Sequence, residues 1–264
     1  YETDGTSARL LFASRAPAEG DLLVGADGLH SAIRKQMLGD LPARFTGNLA
    51  WRLTVPLDRL AEAPPPTACV WAGPGRHAVT YRLRAGTLAN FVGIVERHDW
   101  QGESWTEEGS KDQALSDFAG WDPVVTNLIE KADTHYRWAL FDRNPLTKWC
   151  DGAVTLLGDA CHPMLPFQAQ GAAQAIEDAF VLAAELDSGG PVPGSLIRYE
   201  WARKPRTSRI QAASRANMKT FHKRSLPGQA ATYGPMWIAG RLLPSMVRSR
   251  LDWIYSHDVT ATDR

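Results

Sequence analysis

Three cysteines in 264 residues, Cys69, Cys150 and Cys161, are too scattered and odd in number for a disulfide framework, and they lack metal-ligand spacing. A reduced, cytosolic setting without a metal site is the expectation. Neither sign of charge prevails, because 29 Lys and Arg balance 29 Asp and Glu, so no global field favours nucleic acid or an acidic membrane. No apolar run reaches the roughly 18–20 residues that span a bilayer, and no charged-then-apolar leader opens the chain. Disorder is not indicated either, with 44% apolar and 22% charged residues. The length suits one large domain or two modest ones. The first residues, "YETDGTSARLLF", read as two strands around an Asp4-Gly5 turn already under way, so the later part of a longer protein is expected.

Several apolar runs are present, each closed by an acid or a turn. "DLLVGADG" (Asp21 to Gly28) reads as a buried parallel strand ending in Ala-Asp-Gly. Ser31 then caps a helix through Met37, with Gly39 as its stop. A strand followed directly by a capped helix suggests an α/β nucleotide-binding layer. From Arg44 to Glu96 the period changes to two. "LAWRLTVPL" sets Trp51, Leu53 and Val55 against Arg52 and Thr54, while "HAVTYRL" and "LANFVGIVE" alternate likewise around "RAGT". This predicts an antiparallel sheet. "KDQALSDFAGWDPVVTNLIEKA" predicts short helices interrupted near Trp121-Asp122-Pro123.

"GAVTLLGDA" returns to the buried-strand pattern, and a helix follows from about Gly171 to Leu186. Ile176, Ala179, Phe180, Ala183 and Ala184 predict its inner face. The basic stretch after it predicts a long helix from Ser195 to Lys223, bent at Pro205, with a solvated charged face rather than a phosphate-binding one. "RLDWIYSHDV" predicts a short docked tail.

Chemistry gathers in "LLGDACHPMLPFQAQGAAQAIEDA", Leu156 to Ala179. Asp159 ends an apolar strand, where open α/β sheets bind ligands; alternatively it closes an Asx turn. Pro163 and Pro166 stiffen the loop. Gly171-Ala172-Ala173 leaves the helix mouth bare, so its free N–H groups favour a ring edge or negative charge. Asp27 ends the other strand, and Arg34 is placed to hold Asp27, a phosphate or a surface partner. Two acidic strand ends beside helix starts suggest one extended ligand crossing the sheet edge.

"GADGLHSAIR" resembles the Asp-Gly motif of the flavin-dependent aromatic hydroxylases, the para-hydroxybenzoate hydroxylase class, and "GDACHPMLPFQAQGAAQAIEDA" resembles their Gly-Asp motif. The similarity is strongest to the salicylate hydroxylase and 3-hydroxybenzoate 6-hydroxylase branch, and runs almost end to end. It implies a mixed α/β fold with a partial Rossmann-like FAD-binding layer and an antiparallel-sheet substrate domain. The implied boundaries are 1–43 and 137–190 for the FAD-binding domain, 44–136 for the sheet domain and 191–264 for a C-terminal helical segment. FAD would be held by Asp27, Arg34, Asp159, Pro166, Gln170, Gly171, Ala172 and Ala173. NADH or NADPH would reduce it, and O₂ would supply the oxygen for a small aromatic acid or phenol, in a cytoplasmic monomer or homodimer without nucleic acid or membrane partners. The family's opening G-x-G-x-x-G loop does not occur in these residues, so weak FAD binding or none by the chain alone is expected.

Side chains with two readings remain. Pro166 and His162 are the weak catalytic candidates, the histidine more often a loop hydrogen-bonder in such a setting. His77, His98 and His135 sit in less informative contexts. Trp51, Tyr81 and Phe167 are aromatic substrate contacts or core, with Phe167 favoured by its place in the motif. Arg52 meets a substrate carboxylate or solvent. Cys161 reads as a small buried filler rather than a reactive thiol. Two other functions stay open: a flavin oxygenase acting on a non-aromatic substrate, and a non-catalytic fragment.

Overall fold

The structure, a computed structural model, describes residues 1–97 and 107–261; His98 lies outside them. Strands β1 (Glu2–Thr3), β2 (Ala8–Leu10), β3 (Ala18–Gly20) and β4 (Leu23–Gly25) precede helix α1 (Ala32–Leu38). Then come β5 (Arg44–Pro56), β6 (Cys69–Gly73), β7 (Arg76–Leu83), β8 (Leu88–Glu96) and β9 (Glu107–Glu108). Helices α2 (Lys111–Asp117) and α3 (Pro123–Lys131) lead to β10 (Tyr136–Asp142), β11 (Cys150–Asp151) and β12 (Val154–Leu156). Four helices close the chain: α4 (Gly171–Asp187), α5 (Val192–Phe221), α6 (Leu226–Leu242) and α7 (Pro244–Tyr255). Two compact units result, Tyr1–Arg44 with Asp142–Asn217 and Leu242–Arg264, and Phe45–Phe141 with Met218–Arg241.

In the first unit, the β1–β2 turn forms because Asp4 Oδ1 accepts the Thr6 and Ser7 N–H groups at 2.8 and 2.7 Å. β4 pairs in parallel with β12, Leu156 opposite Gly25, and the Leu157 N–H continues the ladder onto the Gly25 carbonyl at 3.1 Å. Ser31 caps α1 by accepting the Arg34 N–H at 2.9 Å, and Gly39 ends it at a φ of 82°. Trp149, Leu156, Leu182, Leu196 and Tyr199 form the core behind these elements.

The face expected to bury α4 is instead its outer one. Ile176 is 71% and Phe180 45% exposed, while Gln174, Asp178 and Leu182 are buried. The reason is α5: its Arg203, 2% exposed, hydrogen-bonds Asp178 and Gln174, so a polar stripe turns inward. The alanine-rich helix offered no contrast between its faces. The basic stretch is corrected with it, because Arg203, Arg206 and Arg215 are drawn into ion pairs with Glu177, Asp178 and Asp142. α5 runs through Pro205 as one helix. The tail docks through buried Ile254, with Arg206 donating to the Trp253 and Ile254 carbonyls.

The second unit is built on a sheet of order β6-β7-β8-β5-β10-β9. Its hairpin between β7 and β8 turns through Arg84, Ala85 and Gly86, all with positive φ. One face carries Trp51, Leu53, Val55, Ala78, Ala89 and Phe91, packed with Phe118, Val125 and Leu128 from the helical segment. The other face aligns Arg52, Val92 and Val79 in one cross-strand row and Thr54, Asn90 and Tyr81 in the next.

Candidate functional site

Parallel pairing of β4 with β12 brings the two strand-end acids to one edge of the sheet, with strands about 4.8 Å apart. Asp27 Oδ2 accepts the N–H groups of Ala32 and Ile33 at 2.8 and 3.2 Å, capping the start of α1. Burial pushes its carboxyl up, but hydrogen bonds from Ser31 and the helix backbone outweigh this, and its pKa falls below the ordinary value.

Asp159 differs. Gly158 before it adopts a φ of 63°, and a Cβ there would stand 3.1 Å from the Ala175 Cβ. The backbone therefore passes so close to α4 that only glycine fits without a shift. Asp159 itself opens to solvent, yet enough protein surrounds its carboxyl that burial raises the pKa, partly offset by His162. No hydrogen bond among the described residues occupies it. A Cβ on Gly171 would lie 3.8 Å from Asp159 Oδ1, which puts the carboxylate directly at the mouth of α4.

That mouth is bare. Gln170 occupies the cap position without a side-chain cap bond, and no acid stands in the first turn. Its side chain instead accepts from Gln174 Nε2 at 3.0 Å. Ala169 enters the turn at a φ of 52°, a left-handed conformation uncommon for alanine. Pro166 is exposed on the preceding turn. The Gly171, Ala172 and Ala173 N–H groups and the positive end of a 17-residue helix thus face outward beside a free carboxylate.

A buried polar network holds both halves in place. Asp178 Oδ2 accepts the Gly158 N–H at 3.1 Å and bonds His162 Nε2 at 2.5 Å, pinning both ends of the Gly-Asp turn to α4. Its Oδ1 accepts Arg203 Nε at 2.8 Å. Arg203 also donates to Gln174 Oε1 at 2.7 Å, and Gln174 in turn holds Gln170. Burial raises the Asp178 carboxyl, but His162 and Arg203 outweigh it, so the acid stays ionised below its ordinary range. Asp178, Arg203 and Gln174 escaped the sequence reading; an acid and an amide at i, i+4 on an alanine-rich helix were the available signal.

Several expected contacts are corrected. Arg34 does not pair with Asp27. It is buried and donates to the carbonyls of Ala160 and Leu29 at 2.9 and 2.6 Å, tying α1 to the Gly-Asp turn. His162 is 1% exposed behind Asp178 and tilted against Trp149, so it serves the fold and not proton transfer to a ligand. Trp51 is wholly buried in the core of the second unit, where its Nε1 donates to Asp117 Oδ2 at 2.7 Å. Phe167 is buried too, because the Pro166 turn directs it inward. Arg52 is exposed and Tyr81 half-buried on one sheet face. Cys161, His162 and Asp178 place ligand-type atoms within 4.8 Å of one another, but the Arg203 guanidinium on Asp178 and a thiol raised by burial make this a hydrogen-bonded cluster rather than a cation site.

A family model described as "FAD binding domain" matches residues 2–214. The chain is 38% identical over 97% of its length to 3-amino-4-hydroxybenzoate 2-monooxygenase PtmB3 of Streptomyces platensis, covering 63% of that protein. It is 37% identical over 90% of its length to 3-hydroxybenzoate 6-hydroxylase 1 of Aquipseudomonas alcaligenes, covering 60%. A solved salicylate hydroxylase substrate complex superimposes with a TM-score of 0.81 at 27% identity, over 98% of this chain and 67% of that one. The chain thus spans about three fifths of the length of the curated relatives it matches.

Proposed function

We propose that this chain, which belongs to the family of FAD-binding domains, is the flavin-cradling and substrate-reading part of an FAD-dependent monooxygenase that hydroxylates a small aromatic acid or phenol with NADH or NADPH and O₂. The single observation that carries the reading is Asp159 beside the bare mouth of α4. An uncommitted carboxylate suits the hydroxyls of a polyol chain. Unoccupied helix N–H groups suit the carbonyl edge of a flat heterocycle, and glycine leaves room for the two to be met together. The residues present fit FAD.

When bound, FAD supplies the electron transfer and oxygen activation that no side chain provides. The protein's part is to bind, orient and exclude water. Asp159 accepts from the cofactor's hydroxyls. The N–H groups of Gly171 to Ala173 donate to its acceptor edge and favour negative charge there by roughly 0.3–1 kcal/mol, more where water is excluded. Pro166, exposed on its turn, walls the ring. Asp27 and Arg34 act through α1 and the Ala160 carbonyl, fixing the sheet edge. Among the described residues, no helix is long and apolar enough to cross a membrane.

The test uses the full-length protein. Asp159→Ala loses FAD on gel filtration, whereas the wild type elutes yellow and consumes NAD(P)H faster with salicylate or a hydroxybenzoate, forming an equal amount of hydroxylated product. Undiminished flavin retention in Asp159→Ala overturns the cradle. Consumption without hydroxylated product overturns the reaction.

A further inference from the structure

The segment from Pro163 to Ala169 leads from the Gly-Asp turn to the mouth of α4. It turns Pro166 and Ala169 outward and buries Pro163, Leu165, Phe167 and Gln168. Prolines at 163 and 166 remove two of the N–H groups by which a segment pairs with a neighbouring strand, yet its buried carbonyls still need donors. Side chains supply them. Gln211 Nε2 donates to the Pro163 carbonyl at 2.9 Å, Ser214 Oγ to that of Leu165 at 2.7 Å and Asn217 Nδ2 to that of Phe167 at 3.2 Å. These donors stand three residues apart on α5, so one helix grips every second carbonyl of the segment in chain order.

The last residue of α7 adds a fourth hold. The Tyr255 hydroxyl donates to the Gln168 carbonyl at 3.0 Å, immediately before Ala169 takes its left-handed φ of 52°. Arg206 places that tyrosine by donating to the Trp253 and Ile254 carbonyls while pairing with Glu177 of α4. The end of α7 is thereby tied to the same helix whose mouth the segment enters. Folding alone does not call for polar groups here. Gln211 and Ser214 are 3% and 0% exposed on a helix that also buries Leu196 and Ile210, and an apolar residue avoids the desolvation that an amide or hydroxyl incurs.

We infer that Gln211, Ser214, Asn217 and Tyr255 are positioning residues for the cofactor. Through four carbonyls they set where Pro166, which walls the flavin ring, stands relative to the Gly171 to Ala173 N–H groups that meet its edge. This rests on the flavin-cradle reading above and extends the site to two helices outside the Gly-Asp motif. A segment slackened at any of these carbonyls holds the ring less closely and admits water beside it.

The experiment compares the full-length wild type with Tyr255→Phe, which keeps the ring and loses only the hydroxyl, and with Ser214→Ala. FAD release on dilution is followed by the recovery of flavin fluorescence. At saturating FAD, the absorbance and circular dichroism of the bound flavin are recorded, together with the share of NAD(P)H oxidation that ends in hydrogen peroxide. Each variant is expected to lose about fivefold in FAD affinity. Each also shifts the bound-flavin spectrum and releases a larger share of peroxide, and the double variant exceeds either single one. Wild-type affinity and spectrum in both single variants, whatever their melting temperatures, overturn the inference alone, because the donors then serve stability only. A full-length wild type that retains no flavin overturns the cradle reading as well.

Discussion

Asp159 and Gly171 meet so closely that a methyl group on the glycine would stand 3.8 Å from the carboxylate's Oδ1. The distance separates two substitutions. Gly171→Ala makes only an ordinary contact and is expected to leave flavin affinity within a few-fold of wild type. Gly171→Leu places a branched side chain over the helix N–H groups and against Asp159. Its expected effect is at least about a tenfold loss of FAD affinity, or ~1.4 kcal/mol, with the melting temperature held because leucine favours a helix more than glycine does. Fluorescence titration with FAD and a parallel melt check both parts; a Gly171→Leu variant with wild-type affinity would show that the mouth is not used.

Asp159 itself is held at a cost. Burial raises its pKa, so the folded chain binds a proton more readily than the unfolded one. Stability from this group therefore declines as pH rises from the ordinary carboxylate value through the raised folded value, and stays lower above it. Asp159→Asn is expected to remove that decline and to match or exceed wild-type stability at neutral pH. Flavin affinity falls at the same time by about tenfold, as a charged acceptor becomes neutral. Denaturation curves at several pH values, set beside flavin retention, test the opposed signs.

How much of this was legible follows from what sequence patterns carry. The paired strands β4 and β12, the capped α1 and the hairpin of β7 and β8 were written in local periods and turn residues. So was the acid at each strand end. The direction of α4 was not, because alanines on every side hide which stripe turns inward. Arg203 was unreadable for a related reason: a buried cation looks like a surface one until its partner, Asp178, 25 residues earlier in sequence, is brought alongside it. Alternation in β5 assigned Trp51 and Arg52 to opposite faces, but not which face was core. Asn90 gave no signal, since an amide without a hydrogen-bond partner among the described residues is a property of packing alone.

Asp178 joins the turn to the helix, and its removal leaves Arg203 and His162 buried without their acceptor. Asp178→Ala is expected to destabilise the first unit by about 3–5 kcal/mol, the usual result of breaking one side of a buried ion pair. The pH dependence has a definite sign. Its folded pKa is lowered, so the stabilisation is complete above the ordinary carboxylate range, near 3.9, and is lost as pH falls through the folded value. Asp178→Asn is expected to be the milder variant, because it retains an acceptor for the Gly158 N–H. Urea denaturation at neutral pH and at pH 3 distinguishes the two; equal stability of Asp178→Ala and wild type would contradict the network.

The second unit carries its own acid-sensitive pair. His77 Nδ1 lies 2.7 Å from His222 Nε2, both rings buried, and His222 Nδ1 reaches Glu96 Oε1 at 3.2 Å. A shared hydrogen bond between two imidazoles needs one to donate and the other to accept, so protonating both breaks it. Burial, reinforced by the charge on His222, lowers the His77 pKa to about 3. Unfolded histidine takes up its proton near 6.5, so between these values the unfolded chain binds more protons and stability drops as pH falls. Arg224, paired with Glu96, prevents that carboxylate from simply neutralising a second charge on the rings. His77→Phe is expected to flatten the acid limb of stability between about pH 6.5 and pH 3. At neutral pH it should cost about 1–3 kcal/mol, because His222 loses its buried partner. A variant whose acid limb parallels that of the wild type would place the sensitivity elsewhere.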